Sequence, residues 1–336
     1  MPERTLQLIC PAGSLAALKA AVDHGADAVY MGFRDETNAR AFAGLNFDEA
    51  AAREGVRYAH ARGARVLVAL NTYPRAGNWQ RWTAALDRAA ALGADAVILA
   101  DAGLMAYARS THPELALHLS VQGSATSYEA INLYREQFGI RRAVLPRVLS
   151  LAQVENVVKH TEVEIEVFGF GGLCVMVEGR CLLSSYIAGD GPNTCGVCSP
   201  AKAVRWSETP AGLESRLNGV LLDRYGAHEK AGYPTLCKGR FEVAGATYYA
   251  LEEPTSLNTL DLLPQMQAIG IAAIKIEGRQ RSPAYVAQVT QVWRAAIDAC
   301  RAAPHAYAVK EQWQSQLNRV AEGQTHTLGA YHRPWK

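Results

Sequence analysis

One short pattern recurs along this chain and constrains its fold more than any other feature. It consists of an amphipathic helical segment, a glycine and then a short apolar strand, and the glycines are Gly25, Gly63, Gly93, Gly139 and Gly270. A glycine just after a helix readily takes the left-handed conformation that ends the helix. Strands that are apolar almost throughout are typical of a parallel sheet covered by helices on both faces. The pattern therefore predicts repeated βα units.

Three further apolar strands, at residues 6–10, 117–122 and 163–168, bring the number of strands to eight. Eight such units make a (β/α)8 barrel. A doubly wound open sheet is the alternative, but no G-x-G-x-x-G turn follows the first strand, so the dinucleotide-binding form of that fold has no support. We predict a TIM-like α/β barrel.

The connection between the seventh and eighth strands is far longer than usual. We expect residues 1–172 to form barrel strands 1 to 7, residues 173–259 to form an insertion, residues 260–301 to complete the barrel, and residues 302–336 to form a C-terminal tail without a clear repeat. No apolar stretch approaches the roughly 18 residues of a membrane span. The predicted fold is thus an elaborated barrel of 336 residues.

Four cysteines in glycine-rich surroundings fall inside this insertion: Cys174, Cys181, Cys198 and Cys237. The insertion follows a strand end, and enzymes of this fold place their active sites at the carboxyl ends of the strands. Soft thiolates select zinc, copper(I) or iron–sulfur clusters. Nearby glycines let backbone amides approach and hydrogen-bond cluster sulfurs. We therefore expect a metal centre over the mouth of the barrel.

The cysteine spacing alone does not choose the metal. Cys195 and Cys198 form a C-x-x-C pair that would suit a zinc knuckle. The four cysteines named above, however, are not spaced as the two close pairs that are typical of zinc fingers and ribbons. Zinc and iron–sulfur remain open at this point, together with unligated thiols. Cys10 and Cys300 lie in a strand and a helical stretch, where a buried inert thiol is the simpler interpretation.

Charge and cysteine content narrow the functional classes. Seven cysteines in 336 residues are too sparse for a disulfide scaffold. No secretory signal precedes the first strand, so a reducing, cytoplasmic location is expected. Lysine and arginine total 34 against 32 acidic residues, a net charge of +2, far from the basic footprint of a dedicated nucleic-acid binder. No nucleic-acid partner and no membrane span are expected.

The strand ends predict which residues face the mouth. They are Pro11, Gly13, Asn71, Asp101, Gln122, Arg147, the run 169–174 and the run 277–279. In a barrel all of these positions share one face.

Two stretches carry a resemblance to a known family. Residues 166–184 read Glu-x-Phe-x-x-Gly-x-Leu-Cys-x4-Gly-x-Cys-x-Leu-Ser, and residues 275–286 read Lys-Ile-Glu-Gly-Arg-Gln-Arg-Ser-Pro-Ala-Tyr-Val. Together they resemble the collagenase-like peptidase family, whose better-understood members are iron–sulfur hydroxylases rather than proteases. Stretches 10–13, 38–46, 252–258 and 328–332 are similar to the branch of that family that serves ubiquinone biosynthesis.

The resemblance implies a ligand set. Cys174, Cys181, Cys198 and Cys237 would ligate a [4Fe–4S] cluster, and Cys195 departs from the family's third ligand position, which stands in the Gly-x-Cys-Ser-Pro setting of residues 196–200. A functional protease is not expected, because the chain has no nucleophile elbow, HExxH motif or cysteine–histidine signature.

The resemblance also implies a reaction. This is oxygen-independent hydroxylation of the aromatic ring of ubiquinone precursors, as a heterodimer with the related cluster protein UbiV and with prephenate as the source of the hydroxyl oxygen. The substrate would be a polyprenylated phenol, reached from the aqueous side or delivered by a lipid-binding protein.

Four residues are candidate substrate contacts: Arg180 and Arg240 beside the cysteines, and Glu277 and Arg279 at the end of the eighth strand. Prephenate is a dicarboxylate, and a guanidinium can hold a carboxylate with two hydrogen bonds. For each arginine, a surface or barrel-end ion pair is the alternative.

Two other functions stay open. One is a hydroxylase of the same family acting on an RNA base, although RNA binding favours a basic surface or a stacking platform. The other is a noncatalytic scaffold or electron-transfer subunit whose cluster serves a partner.

Overall fold

The computed structural model describes residues 6–192, 197–323 and 325–332, and its centre is a closed parallel barrel. The strands in chain order are β1 Gln7–Pro11, β2 Ala28–Met31, β3 Arg65–Leu70, β4 Ala96–Leu99, β5 Ala116–Leu119, β6 Arg142–Val144, β7 Glu164–Gly172, β8 Val204–Thr209, β9 Gly212–Leu217, β10 Val220–Tyr225, β11 Arg240–Val243, β12 Ala246–Tyr249, β13 Thr255–Asn258, β14 Ala273–Ile276 and β15 Thr325–Thr327.

Helices cover the outside of the barrel and extend into the insertion and the tail. They are α1 Leu15–Asp23, α2 Glu49–His60, α3 Trp79–Ala91, α4 Ala102–Thr111, α5 Tyr128–Phe138, α6 Leu151–Lys159, α7 Leu183–Ala188, α8 Leu263–Ala268, α9 Pro283–Ala302 and α10 Glu311–Val320. Among the residues so described, no helix combines the length and the apolar character that a bilayer crossing demands.

Strands β1 to β7 pair in sequence order, and β14 closes the barrel by pairing in parallel with both β1 and β7. Lys275 of β14 lies opposite Ile9 on one side and Phe168 on the other. The predicted (β/α)8 barrel is confirmed, because an open sheet would leave β1 and β7 at separate edges.

Several helices begin at polar residues in the loops that follow barrel strands. Ser14, Asp101, Ser150 and Ser282 each accept a hydrogen bond from the backbone amide three residues on. Such caps contribute about 1 kcal/mol each. Asp101 was predicted to face the mouth, but its Oδ1 accepts from the Leu104 amide at 2.8 Å and so serves helix α4.

The barrel interior combines apolar and ionic packing. Ile9, Leu67 and Ile98 belong to a small apolar cluster among the strands. Beside it, the carboxylate of buried Glu166 contacts Lys275 Nζ at 2.6 Å and Arg142 Nη1 at 3.4 Å. These buried charges are paired, which offsets part of their desolvation cost.

The insertion grows out of an extension of β7. Strand β7 continues past the barrel to Gly172, where β13 pairs with it in antiparallel fashion. Strands β8 to β10 form a separate three-stranded sheet, and β11 and β12 form a hairpin. Leu217 and Leu222 give this region a small core of its own. The insertion is therefore a folded element attached at the carboxyl end of the barrel.

The tail packs back onto the rest of the chain. Strand β15 pairs in parallel with β13, and the buried side chains of Trp313 and Leu317 on α10 join the main core. The region without a sequence repeat thus has an intramolecular role.

Candidate metal centre and barrel-mouth cavities

A cavity of about 540 Å³, here called the outer cavity, lies where the insertion meets the end of β7. Cys174, Cys198 and Cys237 line it. Cys174 comes two residues after β7, and Cys237 lies in a short 3-10 turn at Leu236–Lys238. The start of the insertion, just after β7, and its later part therefore contribute thiols to the same cavity.

The fourth cysteine, Cys181, lies within electrostatic reach of this group. Burial, with smaller contributions from the neighbouring thiols Cys198 and Cys181, raises the pKa of the Cys237 thiol to about 11. Burial also raises the pKa of Cys198, with a contribution from Cys181. The thiols predicted to act together are thus neighbours in the fold.

Basic side chains lie beside three of these thiols. Arg147 lowers the pKa of Cys174, Arg40 that of Cys198 and Lys238 that of Cys237, although burial outweighs each effect.

Within residues 6–192, 197–323 and 325–332, no three His, Cys, Asp or Glu side chains are arranged to hold a single metal ion. Cys195 lies outside the described residues. Soft donors around one cavity, with cations beside them, fit the chemistry of a thiolate-ligated cluster.

A second cavity of about 70 Å³, here called the inner cavity, lies in the mouth of the barrel. Strand ends from β2 to β7 and from β14 line it, and its residues include Tyr30, Asn71, Gln122, Phe168 and Lys275. Among the described residues, the inner and outer cavities share four lining residues: Arg40, Arg147, Glu277 and Gln280. A thiol-lined space and a barrel-mouth space are therefore adjacent.

An ion-paired cluster forms the shared wall. The guanidinium of Arg147 donates to Glu178 Oε1 at 2.6 Å and to Glu277 Oε2 at 2.8 Å. It also lies 3.6 Å from the centre of the Phe168 ring. Glu277 Oε1 is 3.5 Å from Arg40 Nη2. Glu277 thus links the two arginines.

Glu277 remains ionised at neutral pH. Burial alone would raise the pKa of its carboxyl, but Arg147 and Arg40 outweigh burial and lower it. Glu178 differs, because burial outweighs Arg147 and raises the pKa of its carboxyl.

Arg279 lies in the inner cavity with 7% of its surface exposed. Its guanidinium donates to Asn38 Oδ1 and lies 5.7 Å from the centre of the Tyr30 ring. Burial lowers its pKa to about 10, so the side chain is still charged at neutral pH.

The structure separates the four candidate substrate contacts. Glu277 and Arg279 both line the inner cavity. Arg180 is exposed and donates to the Ser124 carbonyl oxygen at 3.0 Å. Arg240 lies in β11 and pairs with Asp223 at 3.2 Å and Glu229 at 2.7 Å. Neither Arg180 nor Arg240 is among the described residues that line the two cavities.

Sequence reasoning placed Asn71, Gln122 and Arg147 at the mouth, and all three line the inner cavity. It did not single out Tyr30, Asn38, Arg40 or Lys275. A lysine between apolar residues of β14 was a usable signal for Lys275, since a charge on a buried strand needs a partner or a ligand.

Comparison with known proteins identifies the family. The model of peptidase family U32 matches residues 13–334. The chain belongs to peptidase family U32. This confirms, at the level of the family, the resemblance drawn from the cysteine frame and the 275–286 stretch.

Several relatives cover most of the chain. The tRNA hydroxylation protein P1 of Bacillus subtilis (strain 168) is 31% identical over 321 residues, which span 96% of this chain and 70% of that protein. The tRNA hydroxylation protein P of Escherichia coli (strain K12) is 30% identical over 347 residues, spanning 95% of this chain and 72% of that protein. A collagenase of Porphyromonas gingivalis (strain ATCC BAA-308 / W83) is 27% identical over 325 residues, which span 94% of this chain and 70% of that protein.

Proposed function

We propose that this chain is the iron–sulfur subunit of an oxygen-independent hydroxylase that acts on the aromatic ring of ubiquinone precursors. The observation that carries the proposal is the shared wall between the thiol-lined outer cavity and the charged inner cavity. Both lie at the face of the barrel where enzymes of this fold perform their chemistry.

Relatives support the class of reaction. Two family members that are 31% and 30% identical to this chain, across nearly all of its length, are named for tRNA hydroxylation. Hydroxylation is therefore the reaction class that we assign. Proteolysis is not proposed, because the sequence offers no protease signature.

The cluster would be held by Cys174, Cys181, Cys198 and Cys237. When bound, a [4Fe–4S] cluster supplies one-electron transfer at a potential that charge and hydrogen bonds set. Cationic side chains of this chain would contribute to that reduction potential. They are Arg40, Arg147 and Lys238, which act on the thiols electrostatically and favour their ionised form.

The inner cavity would hold a small reactant beside that centre. Apolar walls from Ala69, Ile98 and Val144 suit ring carbons, and the cationic groups suit carboxylates. Prephenate carries both features, so we propose it as the donor of the hydroxyl oxygen. Glu277 would act as a positioning residue, since it holds Arg40 and Arg147 in the shared wall.

The choice of aromatic substrate comes from the sequence. Four stretches, 10–13, 38–46, 252–258 and 328–332, are similar to the ubiquinone-biosynthesis protein UbiU. On that basis the substrate is a polyprenylated phenol that a lipid-binding protein delivers, and the partner is a UbiV-like paralogue.

Hydroxylation of an RNA base is the second candidate. The names of the two relatives favour it. The net charge of +2 on 336 residues does not, because RNA binding draws on a basic surface.

One anaerobic experiment separates the candidates. The chain, purified with its partner and supplied with prephenate, would be offered a polyprenylated phenol or unmodified tRNA, and products would be read by mass spectrometry. We expect the hydroxylated phenol and unchanged tRNA, and the Cys174→Ala variant should form neither product. Hydroxylated tRNA with unchanged phenol would contradict the proposal. Full turnover by the partner alone would make this chain a scaffold.

A further inference from the structure

The charges of the inner cavity do not balance locally. Of the residues that the structure describes, four basic ones line it: Arg40, Arg147, Lys275 and Arg279. The first two contact Glu277, and Lys275 contacts Glu166. Arg279 has no carboxylate within 4.0 Å among the residues that the structure describes. Glu277 favours the Arg279 charge only from beyond contact distance. A buried charge with no carboxylate in contact is costly, so this position suits an anion from outside the chain.

The guanidinium of Arg279 is held in place by its surroundings. A Cβ atom at Gly32 would lie 2.8 Å from Arg279 Nη1 and 2.4 Å from Asn38 Cγ. A Cβ atom at Gly13 would lie 1.6 Å from the Arg279 carbonyl oxygen. Glycine at both positions lets the chain pack directly against Arg279 and against Asn38, which accepts its hydrogen bond. A donor fixed before binding loses little freedom when a ligand arrives.

Asn71 is positioned by the loop that contains Asn38. The amide of Ala39, next in sequence to Asn38, donates to Asn71 Oδ1 at 3.0 Å. A backbone amide can donate only to the oxygen, so this contact also decides the orientation of the Asn71 side chain. The Nδ2 amino group is then the end that can donate to a ligand in the inner cavity.

We infer that Arg279 and Asn71 form a binding site for a small carboxylate in the inner cavity. The guanidinium binds the carboxylate with charge-assisted hydrogen bonds, Asn71 Nδ2 donates a further one, and the apolar part of the ligand packs against Ala69 and Ile98. The inference rests on the proposed function for the identity of the ligand, prephenate, and on the cavity for its chemical class.

Isothermal titration of the anaerobically purified protein with prephenate tests the site. Arg279→Gln removes the charge, and Asn71→Asp keeps the acceptor for Ala39 while placing a carboxylate in the cavity. We expect each variant to weaken binding at least tenfold. The control, Arg53→Gln, removes a positive charge from an exposed pair with Glu49 on α2 and should bind as the wild type does.

Thermal unfolding of each variant guards against a trivial loss of structure. If Arg279→Gln unfolds at a lower temperature than the wild type, the prephenate affinity of Asn71→Asp tests the site instead, because that substitution is isosteric. Wild-type affinity in either variant with a native unfolding temperature would overturn the site, as would wild-type protein that does not bind prephenate. Tight binding without hydroxylated product in the anaerobic assay would contradict the proposed function and leave the carboxylate site standing.

Discussion

The cysteines in the part of the chain that the structure describes include two chemical environments. Cys10 is fully buried, with its Sγ atom 3.2 Å from Thr290 Oγ1, and Cys300 is buried on α9. Cys174, Cys198 and Cys237 are only half-buried and line the outer cavity. Thiols that are accessible, close together and next to cations can ligate a metal, whereas isolated buried thiols are inert.

Substitution of single cysteines tests the ligand set. Cys174→Ala, Cys181→Ala, Cys198→Ala and Cys237→Ala should each lose most of the bound iron, and should be less soluble because metal binding is coupled to folding. Cys300→Ala and Cys195→Ala should keep their iron. Iron analysis and the visible spectrum of anaerobic protein measure this. Iron lost from Cys195→Ala but retained in Cys198→Ala would reverse the assignment.

We expect His118 to make the stability of the barrel dependent on pH. It is 6% exposed, and burial, together with Arg142, lowers its pKa to about 3. An unfolded histidine has a pKa of about 6.5. Between these values the unfolded chain binds the extra proton, so the free energy of unfolding falls as the pH falls below about 6.5, by about 1.4 kcal/mol per pH unit from this residue.

Denaturant titrations of wild type and His118→Gln at pH 7 and pH 5 measure this effect. The wild type should lose about 2 kcal/mol more than the variant between the two pH values. Equal losses would show that His118 is not held neutral in the fold.

Residue by residue, the rule that strand ends face the mouth predicted Asn71, Gln122, Arg147, Glu277 and Arg279 correctly. It could not predict Asn38 and Arg40. They lie in the loop between β2 and α2, and only the closed barrel brings that loop against Glu277 and Arg279, which follow β14. Arg180 and Arg240 are near cysteines in sequence, but their hydrogen bonds lie elsewhere.

The insertion and the tail are coupled elements. Glu322 of the tail accepts from the Tyr233 amide at 2.7 Å and from Lys238 Nζ at 3.1 Å. Both the Lys238 and Glu322 side chains are buried. Lys238 is adjacent to Cys237, so the tail helps to fix one wall of the outer cavity.

Glu322→Gln should therefore destabilise the protein and loosen the insertion. Removing one charge of a buried pair leaves Lys238 uncompensated and costs about 3 kcal/mol. Hydrogen exchange should increase around residues 233–238, and iron retention should fall. Glu311→Gln, on the exposed first turn of α10, is the control and should cost less than about 1 kcal/mol. Equal behaviour of the two variants would rule out the coupling.

At the scale of elements, the helix–glycine–strand pattern predicted the barrel because each βα unit is specified locally. That pattern could not predict the pairing of β15 with β13. Those strands join residues about seventy positions apart, and three-residue segments such as Thr325–Thr327 carry no periodicity from which to predict them.

Among the described residues, most of the exposed large apolar side chains lie in the insertion. Leu182, Tyr186, Tyr248 and Leu251 are among the exposed large hydrophobic residues. Scattered single residues of this kind are normal, whereas a contiguous patch of them would mark a contact with another protein.

Co-expression with a UbiV-like paralogue tests the predicted partner. The two chains should elute together from a size-exclusion column as a heterodimer, with a buried interface of about 1,600 Å² or more. A chain that stays monomeric beside the paralogue and still hydroxylates its substrate would contradict the prediction.

The origin of the new oxygen atom distinguishes prephenate-dependent hydroxylation from other reactions. The complex would be incubated without dioxygen, with a polyprenylated phenol and with prephenate that carries oxygen-18 in its hydroxyl group, and the product would be analysed by mass spectrometry. We expect a hydroxylated phenol that contains the label. A product without the label, or a reaction that proceeds only with dioxygen, would contradict it.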